Sequence, residues 1–295
     1  MMHAVIDLGT NTFNLLIATV ANGRMQIVET QREAVMLGMG GINQGIITEE
    51  AIHRAVGAIG RFKERCDARE VIGVKCIGTS ALREARNTGE LISKVQEAFG
   101  YEIEVVSGKR EAELIYHGTK IVHSFDEPAV IMDIGGGSTE FIKADKTGSL
   151  DIISLDIGVS RIYQALNEPK GFNHALEQRI YTFLNNEEAG QLGNFKCPVL
   201  IGSSGSFETF YEMLMKHDFD HRGEVFEMSK ADLMPILEWT IHSTYEERLS
   251  NKWITPIRKE MLPIAAIKVK WTIEKIGAEK VLISPYSLKE GALMI

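Results

Sequence analysis

The chain has 295 residues, 44% hydrophobic and 24% charged, with a formal net charge of −8. This is the mixture of an ordinary globular protein, and its acidity disfavours a nucleic-acid polymer as partner, which needs a basic footprint. No apolar run approaches the ~18 residues of a membrane span, and no signal-peptide core can form before Asp7. Cys66, Cys76 and Cys197 stand far apart, which argues against a disulfide framework or zinc ribbon and fits a reducing, cytoplasmic setting.

The chain opens as a meander of strands at 3–8, 13–20 and about 24–35, with Asn22-Gly23 as the hairpin turn between the last two. Gly38-Met39-Gly40-Gly41 through Gly45 reads as a flexible loop. It is no dinucleotide fingerprint, because no βαβ unit surrounds it. Thr48 caps a helix over 49–66, with Glu49 and Glu50 in its first turn and Ile52, Val56, Ile59 and Phe62 at helical spacing. A strand at 70–77 leads into Gly78-Thr79-Ser80, followed by a helix near 88–99, a strand near 102–106 and a helix near 110–122.

The polar break from His123 to Pro128 divides two domains, 1–123 and 124–295, as the length suggests at ~100–200 residues per domain. The order then recurs: strands at 129–134, 139–144 and 150–155, and helices near 159–167 and 173–188. A strand at 198–201 runs into Gly202-Ser203-Ser204-Gly205-Ser206 and a helix. Helices near 230–243 and 257–277, a strand at 280–284 and a final short helix complete the chain. Three strands followed by alternating helices and strands, used twice, predict a mixed α/β fold with helices covering the sheets. The final helix is expected to be able to pack back on the first domain.

Two segments read as one phrase. VIDLGTNTFNLLIA (5–18) and IMDIGGGSTEFIKA (131–144) each place an Asp (Asp7, Asp133) at a strand end and a Gly two residues later (Gly9, Gly135). Small or hydroxyl residues follow: Thr10, Asn11 and Thr12, then Gly136, Gly137, Ser138 and Thr139. Such a turn brings backbone N–H groups close to an anion, the hydroxyls add donors, and the Asp holds a metal ion or water. A lone Asp-x-Gly is usually an ordinary tight turn, and Asp156-Ile157-Gly158 is read as a turn entering a helix. The paired phrases suggest two related domains facing one phosphate-containing ligand, and three successive glycines are costly unless a backbone approaches closely.

Lesser signals stand beside plainer readings. Arg83 after the strand could fork onto a phosphate or pair with an acid such as Glu84. With Arg86, Lys109 and Arg110 it forms a basic patch in the sequence. Glu111, in the first turn of its helix, either stabilises the helix or sets a carboxylate beside a phosphate cleft to position water. Gly202, Ser204 and Gly205 sit at a strand-to-helix turn that either meets an anion or is a plain turn. His217-Asp218-Phe219-Asp220-His221 reads as a solvated loop rather than a metal site.

Together IDLGTNTFNLLI, the loop at 37–45, TSALREARN, SGKREAELIYHG, IMDIGGGSTEF, IGSSGSFETF and ISPYSLKEGALM resemble the exopolyphosphatase / guanosine pentaphosphate phosphohydrolase family in its short, two-domain branch. The resemblance implies two actin-like (ribonuclease H-like) domains with a cleft between them, a divalent metal, usually magnesium, and a homodimer. It implies removal of the terminal phosphoryl group from inorganic polyphosphate, or of the 5′-γ-phosphate from guanosine pentaphosphate. The family's catalytic base, a Glu in Ser-Gly-x-Glu-Glu-Ala-Arg, matches Glu111. Here Arg110 stands where the family has its first Glu and Glu113 where it has Arg, a charge pair with its ends exchanged.

The resulting expectation is specific. Gly9–Thr12 and Gly135–Ser138 cradle the terminal phosphoryl groups, Arg83 clamps an oxygen, and magnesium is held by Asp7, Asp133 or Glu140 together with substrate oxygens. Glu111 orients water for in-line attack. An ATP-dependent kinase or ATPase of the same superfamily, and a non-catalytic sensor of phosphate compounds, are the alternatives.

Overall fold

The computed structural model describes all residues except 168, 170 and 222. Strands β1 (Met2–Leu8), β2 (Thr12–Ala21) and β3 (Arg24–Ala34) form the first meander. Its hairpin turns on Asn22 and Gly23, both at positive φ (51° and 70°), the conformation that a two-residue turn of matching twist requires. Helix α1 (Glu49–Ala68) begins at Thr48, whose hydroxyl accepts from Ala51 N. β4 (Gly73–Gly78), the short α2 (Ser80–Glu84), α3 (Thr88–Phe99), β5 (Ile103–Val105) and α4 (Gly108–Lys120) follow.

The plan then repeats with β6 (Ala129–Ile134), β7 (Thr139–Ala144), β8 (Leu150–Leu155), α5 (Val159–Ala165), α6 (His174–Glu188), β9 (Val199–Gly202) and α7 (Gly205–Met215). β10 (Phe226–Ser229), α8 (Lys230–His242), α9 (Tyr245–Ser250), α10 (Leu262–Ile276), β11 (Lys280–Ile283) and α11 (Leu288–Met294) end the chain.

The two sheets share one topology. The first runs β3-β2-β1-β4-β5, and the second, read from its far edge, runs β8-β7-β6-β9-β11-β10. β1 is antiparallel to β2 and parallel to β4, just as β6 is antiparallel to β7 and parallel to β9. α4 after β5 is therefore the counterpart of α11 after β11. These two helices meet between the sheets in a shared core that includes Val5, Ile77, Ala112, Ile115, Ile131 and Leu288. α11 also lies against β1, and Lys75 Nζ donates to the carbonyls of Ala292 (2.9 Å) and Ile295 (2.8 Å).

Three short elements escape the sequence reading: α2, β10 and α9 are too brief to show a period. The helix expected from 257 starts at Leu262, after a separate turn at Pro256–Arg258, because Pro263 favours a helix's first positions over its interior. The loop expected to be flexible is held on both sides. Gly38 N donates to Thr10 O (3.0 Å), Gly40 N to Gln164 Oε1 (3.1 Å), and Asn43 Nδ2 to Arg161 O (3.0 Å). Its glycines serve close packing, since a Cβ on Gly41 would lie 2.3 Å from Ile46 O. Among the described residues no helix is long and apolar enough to cross a membrane.

At the α4–α11 crossing the backbones approach closely. A Cβ on Gly118 would lie 1.9 Å from Ser287 O, and one on Gly291 would lie 1.9 Å from Leu114 O. Gly291→Ala should therefore destabilise the protein by about 1–3 kcal/mol through overpacking, despite alanine's better helix propensity. Urea unfolding measures it, and an unchanged or raised midpoint would contradict the crossing.

Candidate active site

The two phrases fold into the same turn. Gly9 N donates to Thr12 O (3.2 Å), and Gly135 N to Ser138 O (3.1 Å). In register, Asp7 faces Asn14 across β1 and β2 where Asp133 faces Glu140 across β6 and β7. The second repeat thus sets two carboxylates directly opposite each other, an unfavourable cross-strand pair.

Both turns open on one cavity of about 190 Å³. Asp7, Gly9, Asn11 and Thr12 line one wall, and Asp133, Gly135 and Gly136 the other. Glu111 enters from the first turn of α4, and Ser203 through Ser206 from the turn between β9 and α7. The remaining polar wall holds Arg32, Arg258 and Lys289 around Glu208. The hydroxyls of Ser203 and Ser204 are buried without a hydrogen-bond partner, which leaves donors for an anion.

The acids are poorly solvated and close enough to repel. Burial pushes Asp7 up to about 6, and Glu290 adds to the rise, against the bond that Asn14 Nδ2 donates to its Oδ2 (3.0 Å). Burial, then the charges of Glu111 and Asp7, push Asp133 up to about 7, although Ser287 Oγ donates to its Oδ2 (2.7 Å). Glu111 is held well above the carboxylate range by burial and by Glu140, opposed by Arg83, whose Nη1 donates to Oε2 (2.8 Å). Burial and Asp133 push Glu140 up to about 7. Lys268 of α10, fully buried and donating to Thr139 Oγ1, is the cation beneath this pair, and burial lowers it to about 7.

The expected residues divide into those that reach the cavity and those that support it. Asp7, Gly9, Asn11, Thr12, Glu111, Asp133, Gly135, Gly136, Ser204 and Gly205 line it. Thr10, Gly137, Ser138 and Gly202 do not. Gly137 packs on Ser80, Gly202 on the ring of Phe207, and Gly136, though in the wall, on Thr10 and Asn11. The glycine run therefore serves the close approach of the two repeats as well as the cavity. Asp156-Ile157-Gly158 enters α5 as expected, with Gly158 as the N-cap, and it also packs on the second phrase: Gly158 N donates to Gly137 O (3.1 Å), and a Cβ there would strike Gly136 O at 2.2 Å.

Arg83 does not line the cavity. It is spent on Glu111 and on Val106 O (3.1 Å), so it positions the acid. The basic patch is not gathered in the cavity either: Arg86 donates to Gln44 O, and Arg110 pairs with Glu113 at 3.4 Å on the exposed face. Glu140 lies behind Asp133, accepting from Ser154 Oγ (2.8 Å). The segment 217–221 is only partly a solvated loop, because Phe219 is buried and His221 approaches Glu208.

Sequence reasoning missed Arg32, Arg258, Lys289, Glu208 and Lys268. Lys268 carries a readable signal, a lysine inside the apolar run of α10. Arg32 sits on a strand that alternates exposed and partly buried residues, where nothing distinguishes it from Arg24.

Asp7 and Asp133 offer only carboxylate oxygens, the donor type of a hard divalent cation such as magnesium. Among the described residues no group of three or more His, Cys, Asp or Glu side chains is placed to hold a metal ion.

Comparison with known proteins finds relatives over nearly the whole chain. The sequence profile of the Ppx/GppA phosphatase family matches residues 16–294. The crystal structure of an exopolyphosphatase from Cytophaga hutchinsonii superposes with a TM-score of 0.94 at 31% identity, over 99% of this chain and 96% of that one. The Aquifex aeolicus PPX-GPPA enzyme superposes with a TM-score of 0.82 at 22% identity, over 100% and 99% of the two chains. A curated protein of Haemophilus influenzae is 26% identical over 298 residues, 98% of this chain and 90% of the relative. The fold is the actin-like α/β type of these structures.

The raised acids set a pH dependence. Asp7 and Asp133 bind protons more tightly in the folded chain than in the unfolded one. Their contribution to stability is complete below about pH 4 and is lost as pH rises through about 6 to 7. In metal-free buffer Asp133→Asn should stabilise the protein by about 1–3 kcal/mol at pH 8 and change it little near pH 4. Urea unfolding at the two pH values checks the sign, and destabilisation at pH 8 would contradict it.

Proposed function

The chain belongs to the Ppx/GppA phosphatase family, and from that premise we propose that it hydrolyses the terminal phosphoryl group of inorganic polyphosphate. The 5′-γ-phosphate of guanosine pentaphosphate presents the same group and is the second substrate proposed. The observation that carries the reading is the lining of this cavity, which gathers both phosphate-type turns, the acids Asp7, Asp133 and Glu111, and the cations Arg32, Arg258 and Lys289. Asn14 joins the two sets, donating to Asp7 and accepting from Arg32.

A chain of phosphates matches that lining. The backbone N–H groups of Asn11, Thr12 and Gly136 hold the terminal phosphoryl group, those of Gly9 and Gly135 closing the turns, and the unpartnered hydroxyls of Ser203 and Ser204 donate to its neighbours. The cations hold the distal phosphates. Arg83 occupies Oε2 of Glu111, which leaves Oε1 to orient a water for in-line attack. Burial makes the Glu111 carboxylate more basic than usual, which favours its acceptance of the water's proton. A magnesium ion held by Asp7 and Asp133, with Glu140 behind them, would neutralise phosphate oxygens. Phosphoryl transfer relies mainly on positioning and electrostatics, so these residues suffice for it.

Phosphate release in magnesium from long-chain polyphosphate, guanosine pentaphosphate and ATP, compared side by side, tests the proposal. Release from either of the first two should fall by about 10²–10⁴ in Glu111→Gln with binding retained. Release from ATP alone would indicate an ATPase, and binding without release from any of the three would indicate a sensor.

A further inference from the structure

Glu208 is out of place in a wall that is to receive phosphates. It lies in the first turn of α7, lines the cavity, and is surrounded by basic side chains from four other parts of the chain. Arg32 of β3 sets both Nη1 and Nη2 on Oε2 at 3.3 Å. Arg258 places Nη2 3.9 Å from the same oxygen. His221 Nδ1 is 3.9 Å from Oε1, and Lys289 of α11, paired with Glu290 at 2.9 Å, adds its charge. These charges outweigh burial and hold the Glu208 carboxyl down to about 2, so it is an anion at every working pH.

The contacts to Glu208 are loose by the standard of charge-assisted bonds, which run ~2.7–2.9 Å. The guanidinium fork of Arg32 is spent on one oxygen rather than two. Both arginines have separate anchors: Arg32 Nε donates to Asn14 Oδ1 (3.1 Å), and Arg258 Nη1 to Thr209 Oγ1 (2.8 Å). A Cβ on Gly205 would strike the Arg258 guanidinium at 1.7 Å, so the turn is shaped around that cation whether or not Glu208 is present. The carboxylate is thus held by charge rather than by geometry, and the cations do not need it to stay in place.

Resting on the phosphate reading of this cavity, we infer that Glu208 is a specificity-determining internal counter-anion, which a phosphate chain must displace from Arg32 and Arg258. A single phosphate competes poorly with a carboxylate already in place. A chain that is anchored at the acid end presents its further phosphates at high local concentration and wins. Glu208 thereby discriminates against orthophosphate, the product, in favour of the extended substrate.

Calorimetric binding of orthophosphate and of tripolyphosphate to the full-length chain tests this, in magnesium and on a Glu111→Gln background that prevents turnover. Adding Glu208→Gln should tighten orthophosphate at least about tenfold and tripolyphosphate by less, narrowing the preference for the longer anion. Glu208→Ala, checked for folding by thermal melting, should act with the same sign, and Arg32→Gln should weaken both ligands. Unchanged or weakened orthophosphate binding in both Glu208 variants, with tripolyphosphate still bound, would overturn the role of Glu208 and leave the phosphate site standing. No binding of either anion to any chain would overturn the phosphate reading itself.

Discussion

Like charges are forced together at the centre of this protein. Asp7, Glu111 and Asp133 face one small cavity with Glu140 immediately behind, and burial raises the proton affinity of all four. Left alone, such a cluster opposes folding. The surrounding structure answers each acid separately: Asn14 bonds Asp7, Ser287 bonds Asp133, Arg83 bonds Glu111, and Ser154 bonds Glu140. Lys268 adds one buried positive charge beneath them. These bonds orient the carboxylates, whose proton affinities stay raised despite them.

The duplicated architecture is what brings those acids together. Each repeat contributes an Asp at the end of its first strand and a turn closed by the same backbone hydrogen bond. The repeats differ where chemistry requires it. Asn14 of the first stands where Glu140 of the second stands, so the acid density is lopsided. The helices after β5 and β11 cross through Gly118 and Gly291, and from that crossing α4 delivers Glu111 to the cavity while the start of α11 delivers Ser287 and Lys289.

Much of this was legible in the sequence, for definite physical reasons. The repeated phrase announces the duplication because a phosphate-type turn needs glycines and an Asp at fixed offsets, and strands 129–134, 139–144 and 150–155 keep the expected bounds. What escaped was whatever depends on residues far apart in the chain. Arg32, Glu208, Arg258 and Lys289 form one wall from four separate elements, and none carries a local pattern. Arg83 lies in the expected segment but turns to Glu111 because α4 presents a buried acid to it. The Gly38–Gly45 loop looked flexible because its partners, Thr10, Arg161 and Gln164, are supplied by other segments of the fold.

The most direct measurement is a crystal structure of the Glu111→Gln chain with magnesium and tripolyphosphate. The terminal phosphorus should lie between the Gly9–Thr12 and Gly135–Gly136 turns beside residue 111, with the rest of the chain running toward Arg32 and Arg258. A triphosphate with its terminal group at the arginines and none at the two turns, or one bound outside the cavity, would contradict the paired turns as the site of phosphoryl transfer.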